Sequence, residues 1–293
     1  MIRFFKVNPS LIFGLLSALI ALYLAWGRPL SQAYQGVRYG GYLTVLALSL
    51  FWLVAGLPLL VSLLKQRSIR GVDACCCAAL LGLAAYLLWQ LPPRFEVLSD
   101  ELTLQNTALY MFSEREVFSA NQGFWVDGDF EVTSGHLNKR PFLYPFLVSL
   151  THSALGYDLM HAFRLNLVFS LIALAAGYSL LRLRFSSSLS VLIALIPMAV
   201  SSLFLSNARA AGFEMLHFCF LAIYGLALTL YGRRADARSE AFLVATTLLI
   251  AYIRYESCVL VLVTGALLVH TFIQRRQWLQ SQLKVIAPFF LVP

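Results

Sequence analysis

Apolar runs of about twenty residues recur along this chain, and they decide which solvent it can fold in. Roughly 20 apolar residues let a helix cross the ~30 Å hydrocarbon layer, and only an internally hydrogen-bonded backbone tolerates that medium. Candidate spans are residues 9–27, 41–64, 73–92, 163–183, 189–206 and 212–231, with another opening near 285. The apolar run 241–273 is too long for one crossing and barely enough for two. Arg254 and Glu256 sit near its middle, so it reads as two short helices, 241–253 and 257–273, meeting at the polar turn Arg254-Tyr255-Glu256-Ser257. The expected fold is all-α, a polytopic transmembrane bundle forming one domain over 1–293, with a large outer loop that carries interfacial helices. The chain stops at Pro293 a few residues into its last apolar run, which reads as a fragment or a shortened final helix.

Only 12% of residues are charged, and the formal charge is +8. Such an excess can mark nucleic-acid binding, yet here the basic residues sit in short clusters between apolar runs, as topology signals do. Arg3 and Lys6 precede a run that is long for a cleaved signal and lacks a small-x-small site, so an uncleaved first span with a cytoplasmic N-terminus is expected. Segment 141–156 is apolar but short. If it does not cross, the clusters at Arg3/Lys6, Lys65/Arg67/Arg70, Arg182/Arg184, Arg233/Arg234/Arg238 and Arg275/Arg276/Lys284 all share the cytoplasmic side. It is therefore expected to be an interfacial helix, and residues 93–162 a non-cytoplasmic loop. Cys75, Cys76, Cys77, Cys219 and Cys258 lie in apolar runs and form no disulfide framework.

Most acidic residues fall in that loop. Ser99-Asp100-Glu101 opens a segment with apolar residues at 98, 102, 109 and 112, fit for a helix on the membrane surface. Acids behind a serine cap complement the helix dipole and need no further role. Alternatively, a carboxylate just above the membrane plane can take a proton from an acceptor hydroxyl. Lys139, Arg140, Arg164, Arg209 and Arg254 map to the same side, where they either snorkel to the headgroups or bind phosphate oxygens. Glu214 opens a span at that level, as a cap or a site residue. His136, His152, His161, His217 and His270 show no metal-binding spacing, and there is no Walker loop, dinucleotide fingerprint or serine elbow.

The order of these features resembles the GT-C superfamily of polyprenyl-phosphate-sugar-dependent glycosyltransferases, in its protein mannosyltransferase and aminoarabinose transferase branch. The resemblance rests on Ser99-Asp100-Glu101 after a span, on Lys139-Arg140-Pro141-Phe142-Leu143-Tyr144-Pro145-Phe146 with Gly156-Tyr157-Asp158 and Phe163-Arg164-Leu165-Asn166, on Ser206-Asn207-Ala208-Arg209 with Glu214, and on Arg254-Tyr255-Glu256. It implies sugar transfer from a polyprenyl phosphate to a lipid, glycan or protein acceptor at the outer face of a bacterial inner membrane. It also implies Asp100 as general base; beside it Glu101 and Glu214 are assigned supporting or acceptor-orienting roles, and Lys139, Arg140, Arg164, Arg209 and Arg254 are the candidates for holding the departing lipid phosphate. No metal, nucleotide donor, other cofactor or nucleic-acid partner is expected. The chain departs from the family in having Pro141-Phe142 where a double proline is usual, and three spans rather than one before the acidic loop. A transporter or flippase, or a non-catalytic membrane subunit, are the other readings of such a helical chain.

Overall fold

The computed structural model describes residues 30–66, 71–138 and 140–275. The expected spans at 9–27 and near 285 lie outside them, as does Lys139. The described elements are the helices α1 (Leu30–Gln66), α2 (Gly71–Trp89) and α3 (Leu98–Ser113), a hairpin of β1 (Ser119–Val126) and β2 (Asp129–His136), then α4 (Leu143–Leu155), α5 (Met160–Arg182), α6 (Ser188–Val200), α7 (Ser202–Ala208), α8 (Glu214–Arg234), α9 (Ala237–Ala251) and α10 (Cys258–Arg275). This is a helical membrane protein. Among the described residues four helices are long and apolar enough to cross a bilayer, and α6 with α7 makes a fifth if that pair, bent by 67°, is one span.

Helix α1 runs antiparallel to α9 and fixes the depth scale of the bundle. Trp52 Nε1 donates to Thr246 Oγ1 at 2.9 Å, and Arg234 reaches Ser62 Oγ at 2.8 Å. Gly56 lies so close to the Phe242 ring that a Cβ there would stand 2.3 Å from it, so a larger residue would push the two helices apart. Tyr42, Phe142 and Tyr252 share the main core at the other end of this pair. Helix α1 is already helical at residue 30, ahead of the expected start at 41, and its 37 described residues span about 55 Å. The added turns meet the loop: Val117 N donates to Arg38 O at 2.8 Å, Leu137 N donates to Tyr34 Oη at 3.0 Å, and Arg38 pairs with Glu116 at 2.8 Å. Polar contacts with the loop, rather than apolar periodicity, extend this helix.

Two other boundaries move. The run 189–206 is not one straight span, because Ser201 leaves helical geometry at ψ 140° and its hydroxyl accepts from Phe204 N to start α7. The loop also contains a hairpin, which the helical reading did not foresee; Asp127 and Gly128, both at positive φ, make its two-residue turn.

Helix α4 has 13 residues, too few to cross. Leu143 N donates to Tyr252 O beyond α9, and Tyr144 Oη donates to Ala162 O in the first turn of α5, so both anchors sit at one end of the bundle. Helix α4 is not a surface helix, however, because Tyr144, Phe146, Val148 and Ser149 are all fully buried. The opposite end is closed by Asp73, Arg182 and Ser188, and by Arg233 on Leu183 O.

Candidate functional site

The acidic turn of α3 is built differently from a serine-capped helix start. The N-cap position is Val97, with no side-chain capping bond, and Ser99 supplies only its carbonyl, to Thr103 Oγ1. Glu101, 2% exposed, reaches back instead: its Oε1 accepts from the amides of Glu96 and Val97 at 3.2 and 3.3 Å, and its Oε2 accepts from Ala211 N at 3.2 Å. Burial raises the Glu101 carboxyl above the usual range against the pull of those three amides, with the nearby Glu214 charge adding to the rise. Glu101 is therefore a tether between α3 and the 209–214 loop. Leu98 and Leu102 are exposed, whereas Gln105 is 4% exposed with neither side-chain polar atom hydrogen-bonded.

The 209–214 loop is laced from two directions. Arg94 N donates to Arg209 O at 3.2 Å, and the Arg209 guanidinium pairs with Glu96 at 3.2 Å. From α5, fully buried Asn166 donates its Nδ2 to Ala210 O and Gly212 O at 2.8 and 2.7 Å. Glu214 folds its carboxylate back over Gly212. A Cβ on that glycine would stand 2.3 Å from Glu214 Oε2 and 3.6 Å from Glu101 Oε1, which shows how near the two acids lie and why residue 212 carries no side chain. The buried Tyr144 phenol lies beside both acids; burial first, then their charge, pushes its pKa well above the ordinary value.

Asp100 points away from this buried layer and pairs with Arg140 NH2, the two side chains being 39% and 42% exposed. Asn138 Oδ1 accepts from the Arg140 amide at 2.9 Å and sets the backbone that presents the guanidinium. Arg140 stands 5.9 Å from the centroid of the Phe213 ring, and Arg254 stands 5.6 Å from the same centroid. Three distant segments thus meet at one ring, with Asp100 joined to them through Arg140. Arg254 is lightly held, its Glu256 contact being 3.5 Å long and Glu256 largely exposed.

Of the residues expected at the site, Asp100, Glu101, Glu214, Arg140 and Arg254 come together. Arg209 stands at the rim on Glu96, and Arg164 is drawn aside by Asp158 at 2.9 Å, a partner only six residues upstream. Phe213, Asn166 and Gln105 had no assigned role in the sequence reading. An aromatic at a span start and amides in apolar runs give no signal until their neighbours are known.

A second polar cluster sits where α4 meets α5. His152 and His161, 1% and 3% exposed, place their Nδ1 atoms 3.0 Å apart. The Asp158 amide approaches His152 Nδ1 at 3.5 Å. His152 Nε2 is buried with no hydrogen-bond partner, and burial first, then the neighbouring His161, lowers the pKa of His152 to about 4. Among the described residues no three His, Cys, Asp or Glu side chains form a metal-binding group. Compared with protein-family models, with curated proteins and with solved structures, the chain matches none.

Proposed function

We propose that this protein is a membrane glycosyltransferase that moves a sugar from a polyprenyl phosphate to a hydroxyl of a lipid, glycan or protein acceptor, on the non-cytoplasmic face of a bacterial inner membrane. The observation that carries the reading is the meeting of Asp100, Arg140 and Arg254 around Phe213 at the end of the bundle that holds the loop. In the proposed step the acceptor oxygen forms a bond to the anomeric carbon and gives its proton to the Asp100 carboxylate. The bond from that carbon to the phosphate oxygen breaks with inversion, and its electron pair leaves with the lipid phosphate. Arg140 and Arg254 take up the growing charge on that phosphate, an electrostatic contribution of about several kcal/mol. Glu101 acts at one remove, by holding the turn that carries Asp100.

A transporter also fits a helical bundle with a broken span. Transporter sites gather polar groups at breaks near the bilayer midplane. The break at Ser201 carries two serines and no charged side chain, whereas the charges of this chain cluster at the helix ends. The test is transfer by the full chain in liposomes supplied with a polyprenyl-phosphate sugar. Asp100→Asn is expected to lose about 100- to 10,000-fold, the range of a general base. Equal transfer by both proteins would overturn the assignment.

A further inference from the structure

We infer that the Asp100–Arg140 pair is a resting lock that the phosphate of the donor opens, so that Asp100 becomes a base only after the donor has bound. The inference rests on the proposed reading of the site and adds an order of binding to it. In the resting structure Asp100 Oδ2 is taken by Arg140 NH2, so that oxygen is not free to meet an acceptor hydroxyl. The lock is weak by construction. Both side chains are about four-tenths exposed, a single bond joins them, and exposed pairs of this kind contribute little.

Arg140 has a second support, the Phe213 ring, that does not depend on Asp100. Arg254 stands over the same ring, held by two long contacts of 3.5 Å to an exposed acid, Glu256. An incoming phosphate meets two guanidiniums where Asp100 meets one, and it offers more oxygens to their N–H donors. Exchange at Arg140 therefore favours the phosphate. The released carboxylate stays beside the reacting centre, because Glu101 clamps its helical turn through backbone bonds that the exchange does not touch. Phe213, 5% exposed, is a positioning residue: it keeps Arg140 in place while Arg140 changes partners.

The lock can be read without turnover. The full chain in detergent is treated with a carbodiimide and an amine nucleophile, and modification of Asp100 is followed by peptide mass spectrometry. Farnesyl phosphate and inorganic phosphate serve as probes, with farnesol as the uncharged control. Both anions should raise modification of Asp100 about fivefold, the size expected for loss of a half-exposed ion pair. Farnesol should leave it unchanged. Arg140→Gln should give the high level with no anion added, and Phe213→Leu should blunt the response while Phe213→Tyr restores it.

Indifference of Asp100 to both anions in a chain that transfers sugar overturns the lock and leaves the enzyme standing. A response to anions in a chain that transfers nothing shows that phosphate exchanges with Asp100 at Arg140, and overturns both the glycosyltransferase reading and the ordering of base after donor.

Discussion

Each end of the bundle is marked by an aspartate–arginine pair, and the two pairs are made differently. Asp73 and Arg182 are 14% and 10% exposed, and Asp73 accepts from Arg182 Nε at 2.5 Å, Arg182 NH2 at 3.0 Å, Ser188 Oγ at 2.6 Å and Tyr178 Oη at 3.2 Å. Asp100 and Arg140 are roughly three to four times more exposed and share one bond. A part-buried pair whose carboxylate accepts four bonds cannot exchange partners without giving several of them up, so it ties α2, α5 and α6 together. A half-open pair can exchange, which suits it to a ligand. The same two residue types therefore serve structure at one end and availability at the other, and the division follows from solvation.

The contrast can be broken by mutation. The largest stability effect is expected for Asp73→Ala, which removes the acceptor of four hydrogen bonds, three of them from Arg182 and Ser188, and should cost about 3 kcal/mol in thermal unfolding of the purified protein. Next comes Glu101→Ala. It leaves the Ala211 amide without its acceptor and should cost about 2 kcal/mol, with transfer falling because the Asp100 turn loosens. A smaller effect is expected from pH. His152 is held neutral with its pKa lowered to about 4, so the unfolded chain binds the proton more readily, near its ordinary value of 6.5. The stability contributed by neutral His152 is complete above about pH 6.5 and is lost as pH falls toward 4, on the order of 1–2 kcal/mol. Unfolding scans at pH 7 and pH 5 should show the loss, and His152→Gln should reduce it. Smallest of all is Asp100→Asn, expected to change stability by less than about 1 kcal/mol while transfer collapses. If Asp100→Asn destabilised the protein as much as Asp73→Ala, the two ends would not differ in kind.

Much of the bundle was legible because apolar length is a one-dimensional signal. The helices near 73–92, 163–183 and 212–231 lie within a few residues of their expected bounds. What could not be seen came from contacts between distant segments. The helical turns of α1 ahead of residue 41 are held by Tyr34 and Arg38, and the turn just beyond by Tyr42, all meeting a loop some seventy to a hundred residues further on. Ser99 looked like a cap because its residue type is right, yet Glu101 reaches the free amides first and the helix opens before it. The hairpin did leave a local trace in Asp127-Gly128, which a helical frame passes over. At the site, residue type and sidedness singled out Asp100, Arg140 and Arg254. The same criteria also admitted Arg164, because nothing in composition reveals that Asp158 claims it.

Helix α1 has a mechanical consequence. It is about 55 Å long where the hydrocarbon layer takes about 30 Å, and its upper turns grip the loop through Tyr34, Arg38 and Tyr42. A rod of that length moves its tip by about 10 Å for each 10° of tilt, and bilayer thickness is one of the things that sets helix tilt. The protein is thus a lever with about half its length in lipid, and thinner or thicker membranes will swing the apparatus at its far end.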